Sequence, residues 1–168
     1  MKKVFLALCV SIAAAVAGGE TVEISTSGWC GSGTRRKWSF HGLRPTAGAA
    51  RLTTGSLICS PWWPEANVLS AAVTLACSTN KPTRQLLVTF LYDDGKASTA
   101  RVSSVRSPGA AETRSFDANP DRNAHGLRLS LSDGDDGDWT ASRVSLDCEG
   151  SLAQARTALP LGFLLSVR

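Results

Sequence analysis

Residues 129–148 read LSLSDGDDGDWTASRVSLDC, and their pattern decides the fold class of the chain. Leucines alternate with serines before the acidic segment, and Val144, Leu146 and Cys148 alternate with polar residues after it. Alternation is typical of a strand with one buried face, and a segment rich in Gly and Asp between two such runs is typical of a turn. The stretch therefore predicts a β-hairpin whose turn is acidic.

Similar signals recur along the rest of the chain. Residues 86–92, LLVTFLY, are apolar at both alternating sets of positions, which predicts a strand covered on both faces. Clusters rich in turn-forming residues, such as RPTAG at 44–48 and DANPDRN at 117–123, separate the apolar runs. We expect an all-β fold, an antiparallel β-sandwich of about seven to nine strands.

The first 17 residues have the pattern of a cleaved secretory signal peptide. A short basic segment, MKK, precedes an apolar run from Val4 to Val16, and AVA at 15–17 supplies the small-x-small pattern of a cleavage site. The run is shorter than the roughly 20 residues that span a bilayer. We therefore expect residues 18–168 to form a single secreted, extracellular domain.

The cysteines outside this leader indicate disulfides. Removal of the leader leaves an even number of them in an exported chain, which is typical of a disulfide framework. Zinc is disfavoured because the sequence has no C-x-x-C pair. We expect two disulfides and favour a local Cys59–Cys77 bridge with a long-range Cys30–Cys148 bridge, although three pairings are open. The residues concerned are Cys30, Cys59, Cys77 and Cys148.

Charge and motifs argue against two classes of function. The formal net charge is only +4, and the one dense basic run, RRK at 35–37, has no interleaved aromatic residues, so no nucleic acid partner is expected. His41 and His125 are the only histidines, and neither stands in a metalloprotease motif. No G-x-S-x-G elbow is present. We therefore expect a protein that is not an enzyme.

The acidic turn is a candidate calcium site. Calcium binds six to eight oxygen atoms, often from several carboxylates on a flexible loop. The EF-hand template does not fit, because the position of its last glutamate, counted from Asp133, is Val144. A calcium site and a solvated turn both stay open. The candidate ligands are Asp133, Asp135, Asp136 and Asp138.

The tryptophans divide into two groups by their local sequence. Trp38 and Trp139 stand at strand positions, where we expect them to fill the core. The other three lie in loops rich in Gly and Pro, where aromatic residues serve membrane interfaces, sugar stacking or protein contacts. An alternative is that PWWP at 61–64 folds back over one end of the sandwich. The candidate binding residues are Trp29, Trp62 and Trp63.

Two segments resemble the PLAT/LH2 β-sandwich domain. Residues 22–40, VEISTSGWCGSGTRRKWSF, are similar to the opening strand, G-x-G-T turn and second strand of that family. Residues 127–144 resemble its later signature, an alternating apolar strand followed by an acidic turn, a tryptophan and a valine. The resemblance implies an eight-stranded sandwich that docks to a lipid surface, a membrane or a protein, in some members with calcium.

These observations lead us to expect a secreted, non-catalytic binding module. Its leading function is docking to a membrane lipid surface or to an extracellular protein through the three loop tryptophans. A carbohydrate-binding sandwich, in which the same tryptophans stack on sugar faces, is one alternative. A secreted structural or interaction protein of unknown partner is the other.

Overall fold

The structure is a computed structural model, and it describes residues 17–23, 38–43 and 48–151. Within these ranges all regular structure is β, and no segment is a helix long and apolar enough to cross a membrane. The expected signal peptide falls almost wholly outside the described residues, and its cleavage stays a prediction. The strands are β1 (Ala17–Glu23), β2 (Ser39–His41), β3 (Ala50–Leu52), β4 (Leu57–Cys59), β5 (Ala66–Cys77), β6 (Leu86–Tyr92), β7 (Ala97–Val102), β8 (Glu112–Asp117), β9 (Ala124–Leu131) and β10 (Trp139–Gly150).

The strands form two antiparallel sheets. The first sheet has the order β1-β10-β5-β8, with β3 also paired to β10, and the second has the order β2-β4-β9-β6-β7. This arrangement confirms the expected all-β antiparallel class. Ten strands are described, against an expectation of about seven to nine, and three of them, β2, β3 and β4, have only three residues each.

The core lies between the sheets and is built by alternation. Val144 and Val73 are partners across β10 and β5, and both are fully buried. From the second sheet, Val88 pairs with Leu129, and both side chains are fully buried as well. Trp139 is fully buried too, as expected from its strand position. Burial of this apolar surface is the main term that stabilises the sandwich.

The prediction of a β-hairpin at residues 129–148 is wrong. Strand β9 belongs to the second sheet and β10 to the first, so the acidic segment between Leu131 and Trp139 crosses from one sheet to the other. Alternation shows that a strand has one buried face. It does not distinguish a hydrogen-bonded neighbour from a partner across the core, because either one covers that face.

The expected Cys59–Cys77 disulfide is also wrong, since both residues carry free, buried thiols. Cys59 lies on β4 of the second sheet, and Cys77 ends β5 of the first. Facing sheets are about 10 Å apart, whereas the Cα atoms of a disulfide lie within about 7 Å. Cys30 falls outside the described residues, so the Cys30–Cys148 bridge stays a prediction.

Candidate functional site

The loops gather at two ends of the sandwich. One end, called the tryptophan end here, carries the connections 60–65, 93–96 and 118–123. The opposite end, called the acidic end, carries the connections 78–85, 103–111 and 132–138 together with the shorter turn 53–56. Long loops at the ends of a rigid sandwich are the usual place for binding residues.

The two adjacent tryptophans at the tryptophan end have opposite environments. Trp63 is 0% exposed and belongs to the core, so its ring packs inside the sandwich and cannot contact a ligand at the surface. Trp62 is half-buried, and the centroid of its ring lies 5.1 Å from that of His125, with the ring planes tilted by 45°. The expectation that both are surface contacts is therefore corrected for Trp63. Trp29 lies outside the described residues.

The loop that carries Trp62 is fixed to β9 by buried hydrogen bonds. The hydroxyl of Ser60 donates to the carbonyl of Pro61 at 2.7 Å and accepts from the amide of Leu127 at 2.8 Å. Gly126 permits this close approach, since a Cβ there would lie 3.3 Å from the Ser60 Oγ. The amide of Trp63 donates to the carbonyl of His125 at 2.9 Å. These bonds hold the loop, and with it the Trp62 ring, in one place.

His125 orients the Trp62 ring. Its Nδ1 lies 2.8 Å from the carbonyl oxygens of both Trp63 and Ala66. Carbonyl oxygens only accept hydrogen bonds, so Nδ1 must carry the hydrogen. The other ring nitrogen, Nε2, lies 4.0 Å from the Asp93 carboxylate. Through the two carbonyl contacts of Nδ1, the imidazole supports the loop that carries Trp62.

His125 is a residue that the sequence analysis did not assign to the site. It stands at an irregularity of β9, where the register with β6 passes from Leu91↔Gly126 to Tyr92↔Ala124 and leaves His125 unpaired. Such a bulge turns a side chain toward a loop that regular alternation would not reach. The sequence carries no clear signal for it beyond the break in alternation.

At the acidic end, the four aspartates have different surroundings. Oδ1 of Asp136 accepts two hydrogen bonds from Thr83, and Asp138 forms a 2.8 Å ion pair with Arg51. Asp133 and Asp135 are exposed. Within the part of the chain that the structure describes, no group of three or more His, Cys, Asp or Glu side chains is placed to hold a metal ion. Calcium binding at this loop stays a prediction.

Comparison with known proteins gives a likeness of fold. No protein-family model matches the chain, and no curated protein matches it. A variant of a family 29 carbohydrate-binding module is similar, with a TM-score of 0.54, 9% identity, and coverage of 78% of this chain and 85% of that one. A variant of the same module complexed with mannohexaose gives a TM-score of 0.53, 9% identity, and coverage of 78% and 92%.

One enzyme shares the fold over part of its length. A family two carbohydrate esterase from Cellvibrio japonicus has a TM-score of 0.51 and 10% identity, and the match covers 86% of this chain but only 37% of the esterase. None of these three structures is described as a PLAT/LH2 domain, so that resemblance stays a prediction. At such identities the likeness extends to the fold alone. The chain is thus similar in fold to carbohydrate-binding modules.

Proposed function

We propose that this protein is a non-catalytic carbohydrate-binding module in which Trp62 is the aromatic contact for a sugar ring. The observation that carries the proposal is the half-buried Trp62 ring, held against His125 at one end of the sandwich. The fold of that sandwich is shared with modules that bind carbohydrate. Carbohydrate binding is one of the two alternative functions that the sequence left open.

The chemistry of the site suits a sugar. One face of a pyranose ring presents C–H groups that pack on an aromatic ring, while its hydroxyl groups require polar partners at the edge. Beside Trp62, the Asp93 carboxylate and the His125 Nε2 supply such partners. Because the loop is already fixed by Ser60, binding costs little conformational entropy.

Docking to a lipid surface has less support. That function was expected from three exposed loop tryptophans, because protruding aromatic residues anchor proteins at membrane interfaces. Trp63 is in the core, and Trp62 is itself half-buried against His125. A single half-buried ring suits contact with a sugar face better than insertion between lipid headgroups.

A polysaccharide binding assay tests the proposal. The protein would be tested by pull-down on insoluble mannan and β-glucan, and by calorimetry with soluble fragments of the same polymers. Trp62→Ala should weaken binding by about tenfold or more, corresponding to about 1.4 kcal/mol, and Trp62→Phe should retain most of it. Thr54→Ala, in an exposed turn at the acidic end, is the control and should bind as the unmodified protein does.

Two results would overturn the proposal. One is the absence of binding to every neutral polysaccharide tested. The other is full binding by the Trp62→Ala variant. A parallel assay with vesicles of phosphatidylcholine and phosphatidylserine separates the lipid alternative, which requires binding to vesicles and none to the polysaccharides.

A further inference from the structure

A concavity separate from the Trp62 site lies at the tryptophan end, where the β8–β9 connection passes over the start of β5. This space, called the β8–β9 groove here, has a volume of about 360 Å³. Small-molecule sites in proteins have volumes of roughly 300–1,000 Å³, so the groove has room for a small ligand. Its lining includes Asn67, Leu69, Asp117, Asn119, Arg122 and Glu149.

One wall of the groove is formed by a bulge in β5. Ser70 pairs with Asp147 and Val68 with Cys148, so Leu69 between them has no partner on β10. The bulge leaves Leu69 36% exposed, an unusual position for a large apolar side chain in this domain. Its carbonyl accepts a 2.9 Å hydrogen bond from the amide of Ala118, which ties the two walls together. An apolar surface therefore borders the groove.

The other wall is rigid because Tyr92 supports it. The amide of Asn119 donates a 2.9 Å hydrogen bond to the Tyr92 hydroxyl. The guanidinium carbon of Arg122 lies 5.7 Å from the centroid of the Tyr92 ring, and its Nε lies 3.8 Å from the Asp94 carboxylate. A wall held in this way needs little reorganisation to receive a ligand.

The polar groups of the groove keep hydrogen-bonding capacity for a ligand. Oδ1 of Asn67 accepts from the amide of Ala124 at 2.8 Å, and Oδ1 of Asn119 accepts from the amide of Asp121 at 2.9 Å. Backbone amides only donate, so these atoms are oxygens and each Asn retains its NH₂ group. Among the described residues, neither NH₂ group has a hydrogen-bond partner.

Two acceptors accompany these donors. The carboxylates of Asp117 and Glu149 line the groove, and neither forms an ion pair or hydrogen bond with another described side chain. Donors and acceptors side by side suit hydroxyl groups, which both donate and accept. The apolar wall at Leu69 suits the C–H face of the same ligand.

We propose that the β8–β9 groove binds one sugar residue of a neutral glycan, as a subsite additional to Trp62. The inference rests on the proposed function and extends it to a second contact and to the charge of the ligand. Among the described side chains, the Asp117 and Glu149 carboxylates of the lining have no ion-pair partner, and the guanidinium of Arg122 already lies near Asp94. We therefore expect the groove to disfavour uronic acids and sulfated sugars.

The two contacts belong to one rigid unit. His125 bonds the carbonyl of Ala66, and Asn67 bonds the amide of Ala124, so the first residues of β5 and β9 are joined twice. Trp62 lies on the His125 side of this junction, and the groove lies on the Asn67 side. We expect a glycan chain that crosses this end of the sandwich to contact both.

Backbone NMR of the labelled protein tests the groove directly. Methyl mannoside or methyl glucoside should shift the backbone amide signals of Leu69 and of the non-proline residues between 118 and 122. Methyl glucuronide should shift them at least about fivefold less at equal concentration. Absence of these shifts with the neutral sugars, or equal shifts with the uronide, overturns the proposal.

Asn119→Asp is the diagnostic variant. It keeps the oxygen that accepts from Asp121 but removes the NH₂ donors, so the loop keeps its turn while the sugar contact is lost. Binding to neutral polysaccharide should fall about fivefold. Asn80→Asp makes the same chemical change at an exposed position of the acidic end and should have no effect. A thermal melt of each variant verifies folding.

The outcomes separate the two proposals. If Trp62→Ala loses polysaccharide binding while Asn119→Asp binds normally, the groove proposal fails and the proposed function stands. If neutral sugars shift the groove amides while Trp62→Ala binds polysaccharide fully, the groove stands and the role of Trp62 fails. If the protein binds no sugar in either assay, both proposals fail.

Discussion

The backbone amide and the hydroxyl of Thr83 each donate a 2.6 Å hydrogen bond to the same carboxylate oxygen of Asp136. These bonds, aided by the nearby Arg84 charge, favour the ionised carboxylate and hold the pKa of Asp136 below its ordinary value of 3.8. A carboxyl group whose pKa is lower in the folded state contributes stability above its unfolded pKa. That contribution is lost as the pH falls through the folded value.

Asp136→Asn should therefore reduce the amount by which the free energy of unfolding falls as the pH is lowered. The amide keeps the shape of the side chain but has no charge to lose. The free energy of unfolding in urea would be measured at pH values from neutral to below 3.8, the ordinary pKa of the group. Thr54→Ala, at an exposed position of the acidic end and without a titratable group, is the control and should keep the original profile. An unchanged fall in Asp136→Asn contradicts the prediction.

Substitution of the two adjacent tryptophans should have unequal effects on stability. Trp63→Ala removes a fully buried ring and should cost about 3–5 kcal/mol in the free energy of unfolding, a large part of the roughly 5–15 kcal/mol of a typical domain. Trp62→Ala removes a half-buried ring and should cost less than half as much. Urea unfolding of both variants measures the difference, and equal losses would show that the Trp62 ring is also part of the core.

Gly137→Ala should destabilise the acidic end by steric overlap. Gly137 has a φ of 101°, and a Cβ at this position would collide with the ring of Pro82. Gly55 has a φ of 79°, and a Cβ added there would meet no atom within 4 Å, so Gly55→Ala introduces backbone strain without overlap. The melting temperature should fall further for Gly137→Ala. Equal decreases would mean that Pro82 moves aside at little cost.

Cys59 and Cys77 should be recovered as thiols. If the unfolded protein is alkylated without a reducing agent and digested, mass spectrometry should find both cysteines modified. In the native protein, Cys59 should react slowly, because burial raises the pKa of its thiol and the thiolate is the reactive form. A peptide that joins the two cysteines would restore the local disulfide expected from the sequence.

The sequence predicted the faces of the strands well and their neighbours poorly. Alternation at Val144, Leu146 and Cys148 correctly marks side chains that are buried in the core. The same pattern gave no information on whether β10 lies beside β9 or across from it. That choice depends on the connection. Residues 132–138 contact Thr83 and Arg84, just before the start of β6, through hydrogen bonds between residues distant in sequence.

The candidate site was predicted in part. Trp62 and Trp63 share one sequence context, and only tertiary packing places one ring at the surface and the other in the core. The Leu69 and His125 bulges depend on local register shifts, which a hydrophobic pattern does not specify. Asn119 stands in a segment whose composition indicates a turn. The structure shows that its Oδ1 accepts a hydrogen bond from the amide of Asp121, and only this contact shows that its NH₂ group remains to donate to a ligand.

The course of β10 has a practical consequence for binding measurements. The strand ends at Gly150, and the amide of Ser151 donates a 3.0 Å hydrogen bond to the carbonyl of Glu65, so Ser151 lies at the tryptophan end. Glu149, only two residues earlier, lines the β8–β9 groove. A sensor surface coupled at Ser151 would therefore crowd both proposed contacts. Coupling through a cysteine introduced at Thr54, in the turn between β3 and β4, would leave them facing the solution.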